Sequence, residues 1–186
     1  MLANGFNLGD LNLTFYHTML TNYQLMDIAS AMKFPLEKVC FKDELCKEPL
    51  KYNACYIINS QNSEDEQGED NQGAHWIALY VEKTKDGKVH PQYFDSYGIA
   101  PAKEITDFVG RYVPYCTKDI QSILDSVCGF FCLAFCFFVS KSRFRTGNIY
   151  QDTETFLELF KDLNVSHDFK QNEWVLQQFF NTGDKK

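Results

Sequence analysis

Four residue types in this chain could do nucleophilic chemistry if the fold brought them together: the imidazole of His75, the carboxylate of Asp95, the carboxamide of Gln121 and the thiol of Cys128. Cys128 opens the run Cys128-Gly-Phe-Phe-Cys-Leu-Ala-Phe-Cys-Phe-Phe-Val. A helix apolar on every side is a buried one. Its N-terminus carries roughly half a positive elementary charge and unsatisfied backbone N–H groups. A thiol in that position is of the kind whose pKa falls, and the thiolate is the nucleophile. The same N–H groups can stabilise an oxyanion on a carbonyl under attack. Gly129 adds no Cβ, so a substrate backbone is expected to come close there.

A nucleophilic thiol needs a base, and the base needs an orienting group. The histidines are His17, His75, His90 and His167. His75 precedes an alternating run, Trp-Ile-Ala-Leu-Tyr-Val, that reads as a strand. Asp86-Gly87 is a hairpin signal. Pairing of 75–82 with 89–95 through that turn places Asp95 at the same sheet end as His75. An acid beside an imidazole fixes its tautomer and stabilises the imidazolium. Gln121 lies seven residues before Cys128 and can donate to an oxyanion without titrating. Each of these residues also has a bland reading, as a core thiol, a strand-end histidine or a loop amide.

The other cysteines read as packing. Cys132 and Cys136 share a helix face with Cys128, but no Cys or His array with ordinary zinc spacing accompanies them, so neither metal nor cofactor is expected. Cys40, Cys46, Cys55 and Cys116 read as inert thiols.

The elements that must position these groups follow from local patterns. A helix capped by Asn22 puts Leu25, Ile28, Ala29 and Met32 on one face and ends by Pro35. Residues 36–45 are ambiguous. Residues 54–58 are β-prone, and 59–73 form an acidic surface loop with five acids and no base. Pro101 opens a helix to about Tyr112, with Ile105, Phe108 and Val109 inward. Residues 116–120 suggest a short strand, and 122–126 a polar connection. Two amphipathic helices follow, about 152–163 and 169–180, with Asp152 and Ser166 as candidate caps. The expected class is α+β: a small, mostly antiparallel sheet packed against helices, with a central buried helix starting at Cys128.

Taken together, Gly-x-His-Trp, then Tyr-Phe-Asp-Ser-Tyr-Gly, then Gln-x6-Cys-Gly-x-Phe-Cys resemble the adenovirus maturation protease (adenain-like) family of cysteine peptidases. The ubiquitin-like-protein proteases are more distantly similar. The resemblance spans Tyr56 to Val139. It implies His75 as general base, Asp95 as its orienting acid and Cys128 as nucleophile, with Gln121 and the Cys128 N–H forming the oxyanion hole. It further implies a thiol endopeptidase that cleaves viral or virus-like precursor proteins, capsid or core, at glycine-containing sites during virion maturation. The same chemistry could instead serve a deubiquitinase or ubiquitin-like-protein-specific protease, and a catalytically silent interaction module of the same fold is a third reading. An activating viral peptide is implied by the family, as is a cysteine that bonds it, Cys116 or one within 40–55.

Composition bounds the remainder. The chain has 186 residues, 45% of them hydrophobic and 23% charged, which suits one globular domain over 1–186. Its net charge of −7 would be −2 without the acidic loop. No sequence-wide basic field draws it to nucleic acid, which argues against DNA as an activator. The basic cluster Lys141, Arg143 and Arg145 follows the buried helix, where positive charge suits a helix C-terminus. Seven cysteines exclude a complete intrachain disulfide set. The N-terminus shows no signal-peptide pattern. The 13-residue apolar run is short of the roughly 20 needed to span a membrane. The expectation is an intracellular monomer in a reducing compartment, the host nucleus or virion if viral.

Overall fold

The computed structural model describes residues 19–65, 75–141 and 149–180. Four strands form one sheet in the order β1 (Leu36–Phe41), β2 (Ala54–Asn59), β3 (Trp76–Lys83), β4 (Val89–Phe94). β1 and β2 are parallel; β2–β3 and β3–β4 are antiparallel. The fold is thus α+β, with a mostly antiparallel sheet packed against several helices. Among the described residues, no helix is long and apolar enough to cross a membrane.

Strand alternation divides the interior in two. Cys55 and Ile57 on β2, with Trp76, Ala78 and Tyr80 on β3, face the larger core. Their neighbours Ala54, Tyr56, Ile58, Ile77, Leu79 and Val81 face the smaller one. β2 is therefore buried along its whole length, which is why it reads as a continuous apolar run. The smaller core is closed by α2 (Lys103–Val109) and by a 3₁₀ turn over 42–47 that supplies Leu45.

The larger core is built on α3 (Cys128–Ser140), buried from Cys128 to Val139. Around it pack α1 (Asn22–Met32), α4 (Ile149–Glu158) and α6 (Phe169–Gln177). Phe156 is central there. Its ring lies 5.4 Å from Phe94, 5.5 Å from Phe135 and 5.2 Å from Phe160. A short helix, α5 (Leu163–Ser166), links α4 to α6.

Several local expectations are corrected. Thr21, not Asn22, caps α1: its hydroxyl takes the Gln24 N–H while the Gln24 side chain takes the Thr21 N–H, a reciprocal capping box. The stretch 36–45 resolves into β1 and the start of the 3₁₀ turn. Pro101 lies before the Ala102 cap of α2, and that helix stops at Gly110, which takes the left-handed conformation at φ 71°. Residues 116–120 form no strand; they are tied in by single bonds to different elements, the Ile120 N–H donating to the Ser96 carbonyl at 2.8 Å and the Asp119 carbonyl accepting the Leu163 N–H at 2.7 Å. Asp152 lies inside α4 and Ser166 ends α5; the capping side chains are Asp162 and Asp168. The connection 122–126 is not simply polar, because Ile123 and Leu124 are 82% and 89% exposed. His17, Arg143, Arg145 and most of the acidic loop (66–73) lie outside the described residues.

Candidate active site

The β3–β4 hairpin sets the first half of the site. Ala78 pairs with Phe94. His75 therefore sits just before β3 and Asp95 just after β4, at one end of the sheet. The His75 carbonyl accepts the N–H of Ser60, the residue after β2, at 2.9 Å. After Phe94 the chain turns: the Gly98 N–H donates to the Asp95 carbonyl at 3.1 Å, and the Tyr97 N–H to Asp95 Oδ1 at 2.8 Å. That leaves Asp95 Oδ2 for His75 Nε2, at 3.1 Å. Both side chains are nearly buried. Gly98 is required by this turn. Its φ is +71°, and a Cβ there would lie 2.5 Å from the backbone carbonyl of Thr117.

The second half comes from α3. Cys128 is its first residue and is buried, with the backbone N–H groups of the first turn still unpaired by the helix. Burial works against the charged form of His75, but the Asp95 carboxylate bonded to it and the neighbouring Cys128 sulfur raise the imidazole to about 9. Nε2 is committed to Asp95, so Nδ1 is the ring nitrogen left for the thiol. Nδ1 is buried and has no partner at full hydrogen-bond geometry. The Cys128 sulfur therefore acts on His75 as a neighbour, without a closed hydrogen bond.

Gln121 joins the same cluster. It is buried, and its side chain is fully engaged: Oε1 accepts from the Ser96 hydroxyl at 2.8 Å, while Nε2 donates to the Asp125 carbonyl at 2.7 Å and to the Tyr97 hydroxyl at 3.1 Å. Asn172 of α6 anchors the adjoining backbone, donating to the Ile120 carbonyl at 2.9 Å. All four residues expected from the sequence therefore lie in one cluster.

Tyr97 is the participant that sequence reasoning missed. Its ring packs on His75 with centroids 4.6 Å apart. The signal was present in the strand register: carried past Ala78–Phe94, it sets Tyr97 opposite His75.

All seven cysteines are free. Burial pushes Cys132 well up and Cys40 up to about 12, holding both as neutral packing groups. Cys55 is buried and donates to the Cys136 carbonyl. Cys46 and Cys116 are exposed. His90 pairs with Glu82 near the opposite end of the hairpin, and His167 follows α5. Gly129 does not open a path for substrate. A Cβ there would lie 3.3 Å from the side chains of Leu20 and Leu25, so its small size serves the packing of α3 on the α1 region. Lys141 donates to the Lys33 carbonyl at the end of α1, a structural use of that cation. Beside the His75–Asp95 pair lies a largely apolar cavity of about 360 Å³, lined in part by Ile77, Tyr93, Tyr97 and Ile99.

Among the described residues, no group of three or more His, Cys, Asp or Glu is arranged to hold a metal ion. A scan against protein-family models finds no match, and a search of curated proteins finds no significant one.

Proposed function

We propose that the chain is a cysteine endopeptidase. The observation that carries this reading is the position of His75, bound to Asp95 on one side and beside the Cys128 thiol, at the start of a buried helix, on the other. In the proposed reaction His75 holds the proton given up by Cys128 on Nδ1, as an imidazolium, and the thiolate sulfur attacks the scissile carbonyl carbon. The carbonyl π pair moves onto oxygen, which faces the Cys128 N–H. Collapse breaks the C–N bond as His75 returns the proton to the leaving amine. Water, deprotonated by His75, then releases the acyl group from sulfur.

Exposed Ile123 and Leu124 give a protein substrate apolar surface on the loop that enters α3. The resemblance extends the proposal to viral or virus-like precursor proteins cut at glycine-containing sites in a reducing setting, the host nucleus or virion. With Gly129 engaged in packing, the glycine preference rests on that resemblance alone. Turnover of a glycine-containing peptide by the wild type, and its loss in Cys128→Ala, tests the reading; equal turnover by both proteins rejects it. Labelling by an electrophilic ubiquitin probe would redirect the substrate assignment to ubiquitin-like proteins.

A further inference from the structure

Tyr97 touches the cluster through three separate groups. Its backbone N–H donates to Asp95, its ring packs on His75, and its hydroxyl accepts a proton of Gln121. The ring contact is explained by the hairpin register and the backbone contact by the turn at Asp95. The hydroxyl contact is explained by neither. Phenylalanine would serve both the packing and the turn, so the oxygen needs its own account.

A phenol that accepts one hydrogen bond still has its own O–H to donate. The Gln121 amide has no such reserve: one Nε2 proton goes to Asp125 and the other to Tyr97. A carbonyl oxygen reaching this corner therefore meets the tyrosine O–H more readily than the amide. A hydrogen bond accepted from Gln121 also polarises that O–H and strengthens it as a donor. Burial, followed by the neighbouring charge of Cys128, pushes the Tyr97 phenol up to about 12, so it keeps its proton throughout the neutral range.

From this geometry we infer that Tyr97 is an oxyanion-hole donor, its hydroxyl held by Gln121 and aimed at the carbonyl oxygen that Cys128 attacks. Gln121 then acts chiefly through Tyr97, as a positioning residue. The inference rests on the endopeptidase reading. No proton leaves Tyr97 in the step: as sulfur bonds to carbon, the π pair moves to oxygen and is stabilised there by the tyrosine O–H and the Cys128 N–H.

The test compares two reactions of the same thiol in the full chain. Alkylation by iodoacetamide displaces iodide and forms no oxyanion, whereas peptide cleavage passes through one. Tyr97→Phe should leave the rate of Cys128 alkylation and the KM unchanged and lower kcat on the order of 100-fold. Replacing Tyr97 with a fluorinated tyrosine that ionises near neutrality provides a second variant with the same shape. Its turnover should fall as pH rises through that ionisation, because a phenolate cannot donate. Unchanged or faster cleavage by Tyr97→Phe overturns the inference, and so does an equal fall in alkylation and cleavage, which would place the effect on the thiol–imidazole pair. Selective Cys128 alkylation in a wild type that cleaves no peptide would reject the endopeptidase reading itself, and this role with it.

Discussion

His75 Nε2 lies 3.1 Å from Asp95 Oδ2, although the two residues are separated by a complete hairpin. The distance is set by the β3–β4 register and by the turn that points Asp95 Oδ1 at the Tyr97 N–H. This relationship commits one ring nitrogen, Nε2, to the carboxylate and leaves Nδ1 outside that bond.

Asp95→Asn should therefore alter the pH dependence as well as the rate. The amide keeps the shape but removes the charge that sustains the imidazolium, which lies at about 9 in the native protein. Proton return to the leaving amine requires that imidazolium. Wild-type activity should fall on the alkaline side near that value, and the variant's fall should move to lower pH. A pH profile of kcat/KM checks this, with a loss at neutral pH of at least about 10-fold.

The same ring should make stability depend on pH. The folded protein binds the His75 proton more tightly than the unfolded chain, whose histidine has the ordinary value of 6.5. The stabilisation is complete below about pH 6.5 and is lost as pH rises through about 9. Its size is of order 3 kcal/mol. Urea unfolding at pH 6 and pH 9.5 should show wild type losing more stability than His75→Gln over that interval.

Gly98→Ala should damage both fold and site. The left-handed φ and the 2.5 Å approach to Thr117 leave no room for a methyl group. Backbone must shift, at a cost of about 1–3 kcal/mol. The displaced segment leads to Ile120 and Gln121, so activity should fall with the thermal midpoint. Substitution at Gly87, where a Cβ would meet nothing within 4 Å, should carry only the backbone cost of its positive φ.

Phe156→Ala should be among the most destabilising single changes in the core. Its ring is fully buried against Phe94, Phe135, Phe138, Phe160 and Phe179. Truncation costs about 3–5 kcal/mol. Denaturant titration measures it, with the midpoint lowered and the slope unchanged.

What the sequence made legible were the features carried by strong local patterns. The Asp86-Gly87 turn and the alternation on either side of it led to the hairpin, and so to the pairing of His75 with Asp95. The apolar run led to a buried helix at Cys128. β1 is ambiguous in the sequence because its burial does not alternate: Cys40 alone in the strand is buried. Thr21 captured the α1 cap from the adjacent Asn22 because Gln24 could complete the reciprocal bond. Ile120 is a buried loop residue bonded to Ser96 and Asn172, not part of a ladder. Gly129 serves packing rather than access, a distinction that depends on Leu20 and Leu25 arriving from far away in the chain. Tyr97 escaped notice because a tyrosine after Asp-Ser has no chemical signature until the register is followed beyond the strand ends.

The central claim is that Cys128 is a working thiol activated by His75. Peptide-mapped alkylation of the native protein by iodoacetamide at pH 6 tests it most directly, with exposed Cys46 and Cys116 as internal competitors. The account predicts that Cys128, although buried, reacts first, and that His75→Ala abolishes its advantage. Faster labelling of Cys46 and Cys116, with Cys128 inert in both proteins, would contradict it.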